Sequence, residues 1–223
     1  MKQLLLDFSP DFVPTLENFV AGRNAELLHT LRELAAGAGA ERFVYMWGEP
    51  GSGRSHLLKG VVEAARRRGL AARYVAPAEV SPELADHDLL ALDDVACLDE
   101  GAQIALFDLY NRLREGGGRL LASGPQPPQR LPLRPDVVTR LAWGLVFQAH
   151  ALSDGEKMEA LESHARGRGF ALPREAAGYL MRHWRRDLPS LLAALDALDR
   201  YSLEAKRPVT VPLLREILRR GGA

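Results

Sequence analysis

The stretch GEPGSGRS at residues 48–55 constrains the fold most, because it lies between two apolar segments of different period. The segment before it, RFVYMW at 42–47, is short, aromatic and β-branched, as a buried strand is. The segment after it, SHLLKGVVEAARRR at 55–68, repeats apolar residues at helical spacing and is followed by Gly69 in the C-cap position. Glycines in such a strand-to-helix turn let successive backbone N–H groups face one anion, and the helix start adds the positive end of its dipole. The spacing fits G-x-x-x-x-G-[K/R]-S and predicts a nucleotide site formed by Gly48, Gly51, Ser52, Gly53, Arg54, Ser55 and His56. Ser55 is the expected hydroxyl ligand of Mg2+. A glycine-rich turn with no ligand is the competing reading, and the flanking strand and helix weigh against it. Arg54 stands where this loop ordinarily carries lysine. A planar guanidinium still suits phosphate binding but replaces the compact charge that hydrolysis uses. His56, already inside the helix, suits packing or capping better than catalysis.

The alternation continues downstream. Strands are expected at 71–76, 88–94, 118–123 and 144–150, with helices at 100–115 and around 135–141 between them. Strands apolar on both faces and separated by helices form a parallel sheet wrapped by helices. The third strand ends in Asp93 and Asp94, a Walker B pattern: one carboxylate for the Mg2+ shell (Asp93) and a second to polarise a water. From Ser153 the pattern is helical only, opening on a capping box of Ser153 and Glu156, with helices near 153–167, 173–184, 188–204 and 210–220. The expected organisation is an amino-terminal arm at 1–24, an α/β domain at 25–150 and a helical domain at 151–223.

Composition narrows the function classes. Lys+Arg and Asp+Glu both number 29, so the net charge is zero, which argues against a protein whose main work is gripping nucleic-acid phosphates. A single cysteine, Cys97, allows no intramolecular disulfide and points to a reducing, cytoplasmic setting. Asp7, Pro10 and Asp11 interrupt the opening apolar run too early for a signal peptide, and no stretch is apolar for long enough to span a membrane. Cys97, Trp143 and Trp184 are expected in apolar packing, and Arg66, Arg67 and Arg68 as complements to a helix dipole.

With these residues placed, the chain resembles the AAA+ ATPases, and among them the DnaA-related group, over nearly its whole length. LENFVAGRNAELL from Leu16 is similar to that group's amino-terminal box, and RPDVVTRLAWGL from Arg134 to its arginine-finger box. RDLPSLL from Arg186 lies where its sensor-2 helix carries an arginine, with Arg185 competing for the assignment. Within the group the chain is closest to the regulatory inactivators of DnaA, sharing GRS in the phosphate loop, FDLYNRL at 107–113 and Pro127-Pro128. The resemblance implies an AAA+ sheet followed by a helical lid, bound ADP (or ATP) with Mg2+, and DnaA as partner. It also implies Arg140 as an arginine finger acting in trans, and Arg186 reaching the chain's own nucleotide. Without the box, Arg140 would read as a surface arginine at the end of a short helix. The initiators continue into a DNA-binding helix-turn-helix domain; no such segment follows here, so no sequence-specific DNA binding is expected, and homo-oligomerisation stays open. Pro125, at the sensor-1 position, cannot orient a water, and together with Arg54 it argues against vigorous intrinsic hydrolysis. An autonomous AAA+ ATPase, such as a helicase loader or remodelling motor, is the rival reading.

The chain opens on QLLLDF. Gln3, Leu4, Leu6 and Phe8 resemble the Q-L-x-L-x-[L/F] peptide by which bacterial proteins dock on the β sliding clamp. Apolar side chains would fill pockets while Gln3 fixes orientation by hydrogen bonds. A strand or core segment is the alternative for these leucines.

Overall fold

In the computed structural model the described residues are 13–185, 187–205, 207 and 209–221. Five strands form one sheet: β1 (Phe43–Trp47), β2 (Ala72–Val75), β3 (Leu89–Leu92), β4 (Arg119–Gly124) and β5 (Leu145–Gln148). All pairings are parallel, in the order β2-β3-β4-β1-β5. The helices joining them are α1 (Ala25–Ala35), α2 (Arg54–Arg67), α3 (Glu100–Gly116) and α4 (Pro135–Trp143).

Strand residues alternate between faces, and the sequence supplies an apolar side chain for each face in turn. Val44, Met46, Leu89, Ala91 and Leu121 pack with Leu27 and Leu31 of α1 and Leu57, Leu58 and Val61 of α2. Their neighbours Tyr45, Leu90, Leu92, Leu120 and Ala122 point the other way, onto Leu106, Tyr110 and Leu113 of α3 and Val137 and Leu141 of α4. Truncating any one of these buried leucines to alanine costs about 2–5 kcal/mol.

Element ends differ from the sequence expectation where the chain must turn. β3 stops at Leu92, so both carboxylates lie just past the strand, and Asp94 enters a 3-10 turn at Val95–Cys97. β5 has four residues rather than seven and is a sheet edge, with Leu145 and Val146 exposed. The strand order brings the carboxyl ends of β3, β4 and β1 side by side, where ligands of open parallel sheets bind.

The described chain divides into two compact units, Pro14–Ala151 and the helices from Leu152 on. The second unit holds α5 (Asp154–Gly167), α6 (Arg174–His183), α7 (Leu188–Ala205) and α8 (Val211–Gly221). Its first helix is fixed by the capping box: Ser153 N–H donates to Glu156 Oε2 at 2.7 Å, and Ser153 Oγ accepts from Glu156 N–H at 3.3 Å. Leu161, Leu180, Leu191, Leu195, Leu198 and Leu213 form its core. Arg168 ties α5 to α7 through Asp196 and Asp199 at 3.2 and 3.1 Å. No helix among the described residues is long and apolar enough to cross a membrane.

Candidate functional site

The glycine-rich loop joins β1 to α2 in a shape that side chains would block. A Cβ on Gly48 would lie 2.3 Å from the Ala149 carbonyl oxygen, so only glycine lets the chain leave β1 beside the segment after β5. Gly53, at φ +88°, is the N-cap of α2, and a Cβ there would meet the Phe19 ring at 2.7 Å. The first turn of α2, Arg54-Ser55-His56, carries no carboxylate, so the positive end of the helix dipole faces the loop uncompensated. Three buried polar atoms, Ser52 Oγ and Arg54 Nη1 of the loop and Asp94 Oδ1 just past β3, have no hydrogen-bond partner among the described residues. An orphaned buried polar atom costs about 1–3 kcal/mol, and a phosphate with its hydrated metal ion supplies the acceptors and donors these atoms lack. The residues present therefore fit a nucleotide phosphate and Mg2+.

Asp93 follows β3 directly, and three hydroxyl groups surround its carboxylate. Ser123 Oγ donates to Oδ1 at 2.7 Å, and Tyr74 OH donates to Oδ2 at 2.7 Å. Burial pushes the Asp93 carboxyl up, but hydrogen bonds from Ser123, Ser55, Tyr74 and the Asp94 backbone outweigh it and hold the group below the ordinary carboxylate range. The phenol of Tyr74 is pushed the other way, above its usual range, by burial and by Asp93. Asp94 has φ +41°, the one positive φ at a non-glycine residue among those described. Such strain costs about 1–3 kcal/mol. Sequence reasoning singled out Ser55, Asp93 and Asp94 but missed Ser123 and Tyr74. Ser123 had a signal, a hydroxyl ending an apolar strand; Tyr74 had none, because its role depends on β2 pairing with β3.

The arm before α1 covers the other side of the loop. Thr15 and Asn18 cap each other, with Thr15 N–H on Asn18 Oδ1 at 2.9 Å and Asn18 N–H on Thr15 Oγ1 at 3.2 Å. His56 joins this arm, its Nε2 lying 2.9 Å from the Thr15 carbonyl oxygen and its ring 5.5 Å from that of Phe19. Burial lowers the His56 pKa, with the Thr15 hydrogen bond opposing. Asn24 is buried and clasps the backbone after β5, donating to the His150 carbonyl at 2.8 Å and accepting its N–H at 2.7 Å.

Arg140 lies one turn from the end of α4. Its guanidinium sits 4.4 Å from the Trp143 ring centroid, 5.1 Å from Phe107 and 5.8 Å from Tyr110. Its Nε is buried with no hydrogen-bond partner among the described residues. Trp143 itself is 56% exposed rather than in the core. Val137 and Leu141, four apart, take the buried face of α4, and Trp143 falls off that face beside the edge strand. Cys97 is likewise exposed, not buried, because the 3-10 turn after Asp94 carries it out of the sheet while Val95 takes the core position. The carboxylate of Asp94 raises its thiol pKa. Arg66 and Arg67 have structural partners, the Ala72 carbonyl and Glu63. Gln3, Leu4, Leu6, Phe8 and Arg186 lie outside the described residues, and Arg185 is exposed.

Residues 154–218 match the family model described as Hda, lid domain. Among solved structures the chain is similar to domain III of the replication initiation protein DnaA from Thermotoga maritima. The identity there is 23%, over 92% of this chain and 95% of that one, with a TM-score of 0.74. It is also similar to AMPPCP-bound DnaA from Aquifex aeolicus, at 21% identity over 87% of this chain and 68% of that one, TM-score 0.72. A replication initiator DnaA bound to AMPPCP and single-stranded DNA matches at 22% identity, over 88% of this chain and 69% of that one, also with a TM-score of 0.72. At these identities the likeness is one of fold: a five-stranded parallel sheet flanked by helices.

Proposed function

We propose that this chain, whose residues 154–218 match the Hda lid model and whose fold is similar to that of DnaA domain III, is a negative regulator of DNA replication initiation. In this reading it docks on the DNA-loaded β sliding clamp through Gln3, Leu4, Leu6 and Phe8 and stimulates hydrolysis of ATP bound to DnaA. The observation that carries it is the Hda lid match at residues 154–218.

The chain's own nucleotide, ADP or ATP, is held by the loop of Gly48, Gly51, Ser52, Gly53, Arg54 and Ser55, and Arg186 is its sensor-2 arginine. Ser55 and Asp93 hold Mg2+, which when bound neutralises phosphate charge. Arg54 in place of lysine, and Pro125 past β4, leave this site suited to holding a nucleotide and poorly equipped to hydrolyse one. Arg140 is the group offered to the partner. It has no carboxylate to compete with a phosphate among the described residues, and its stack on Phe107, Tyr110 and Trp143 can be exchanged for a stronger anion contact. A finger placed at a neighbour's γ-phosphate is worth roughly 10³–10⁵ in rate. The aromatic stack supports a guanidinium preorganised at the molecular surface.

The test is conversion of DnaA-bound ATP to ADP, followed with this protein and DNA-loaded clamp present and with each omitted in turn. Conversion that requires both bears the reading out. Conversion that does not need the clamp removes the docking step, and none in the full mixture overturns the reading. Gln3→Ala combined with Leu6→Ala abolishes clamp binding while leaving the melting temperature unchanged if the tail is the docking peptide. One observation favours a second reading, an autonomous AAA+ ATPase acting as helicase loader or remodelling motor: Asp94 Oδ1 is buried and unpartnered among the described residues, as a water-polarising carboxylate would be. Steady hydrolysis by the protein alone would select it.

A further inference from the structure

We propose that Tyr74 is a positioning residue of the metal–nucleotide site, aiming the Asp93 carboxylate from the neighbouring strand; this rests on the nucleotide reading given above. A carboxylate ending a strand is free to rotate about its last torsion, and each oxygen offers two acceptor positions. Here that torsion is held from both sides. Oδ1 is bound by Ser123 of β4 and Oδ2 by Tyr74 of β2, each at 2.7 Å. Ser123 Oγ also accepts the Asp94 N–H at 3.1 Å, so its single proton is directed at Asp93. With Ser123 pinned, Tyr74 is the second anchor that fixes the carboxylate plane.

The pairing of β2 with β3 explains why a tyrosine reaches. Tyr74 stands opposite Ala91, and Asp93 lies two residues further along, on the same face of the sheet. The diagonal suits a long, rigid side chain with a terminal hydroxyl. The ring is in turn held by α2, where Lys59 Nζ lies 5.3 Å from its centroid. Lys59 is one helical turn beyond Ser55, so the helix that begins at the phosphate loop presents Ser55 to Asp93 and Lys59 to Tyr74 from one face. Outer groups that orient a metal-binding side chain commonly matter about 10–100-fold in metal affinity.

The experiment titrates a fluorescent ADP analogue into wild type and Tyr74→Phe, in magnesium and in EDTA, with thermal melts of both proteins. Wild type is expected to bind more tightly in magnesium. Tyr74→Phe is expected to keep its EDTA affinity within about twofold and lose about tenfold of the magnesium enhancement. Equal loss in both conditions, or an unchanged magnesium effect, overturns the role of Tyr74 and leaves nucleotide binding standing. Absence of nucleotide binding by wild type overturns the nucleotide reading together with this inference. Should Tyr74→Phe fail to fold, Lys59→Met keeps the hydroxyl but frees the ring. A smaller loss confined to magnesium is then expected, and no change overturns the inference.

Discussion

Ser123 Oγ donates to Asp93 Oδ1 at 2.7 Å while accepting the backbone N–H of Asp94 at 3.1 Å, so one hydroxyl at the end of β4 fixes both carboxylate residues after β3. Leu92 pairs with Ala122, which sets Asp93 and Ser123 side by side as the two strands end. Ser123 is fully buried, and its removal leaves the Asp93 carboxylate and the Asp94 N–H without this partner. Ser123→Ala should therefore lower unfolding stability by about 1–3 kcal/mol, measured as a shift of the urea midpoint at unchanged m-value. A midpoint within error of wild type would show that the Asp93 carboxylate finds another donor.

Gly48→Ala tests the close approach behind the phosphate loop. The added methyl would sit 2.3 Å from the Ala149 carbonyl oxygen, a backbone atom that cannot swing aside. Loss of ADP-analogue binding is expected, with destabilisation of about 1–3 kcal/mol from overpacking. Wild-type binding by the alanine variant would mean that the loop tolerates a shift and that its geometry is not the binding determinant.

Arg140→Ala should abolish stimulated conversion of DnaA-bound ATP while leaving ADP-analogue binding and clamp binding intact. Arg140→Lys should not restore it, since an ammonium lacks the planar fork that spans two phosphate oxygens. Removing the guanidinium from its aromatic stack costs about 0.5–1 kcal/mol at a partly exposed site, a small change in the melting temperature. Undiminished stimulation by Arg140→Ala would rule the residue out as the finger.

Acid sensitivity should carry a contribution from His56. Burial holds its pKa below the ordinary 6.5, so the unfolded chain takes up the proton more readily than the folded one. Its contribution is present above pH 6.5 and is lost as the pH falls through the depressed folded value. His56→Gln keeps a donor for the Thr15 carbonyl and removes the titration, so its stability–pH profile should be flatter than wild type below pH 6.5. Parallel profiles, read from urea midpoints across that range, would assign the acid sensitivity elsewhere.

The amino-acid sequence alone determined what depends on neighbours along the chain. The phosphate loop was legible because glycines at fixed spacing between a strand and a helix are a local backbone requirement, and Gly48 and Gly53 occupy positions that admit nothing larger. The parallel sheet was legible in strands apolar on both faces, such as Val44, Tyr45 and Met46, alternating with helices, and the start of α5 in the capping box of Ser153 and Glu156. Tertiary structure decided what depends on which strands become neighbours. Tyr74 and Ser123 stand 19 and 30 residues from Asp93 and reach it only because β2 and β4 flank β3, a pairing that strand pattern cannot specify. Trp143 and Cys97 looked like core residues from their apolar surroundings. They are exposed because burial is set by sheet edges and turn directions, and these exist only once the strands have assembled.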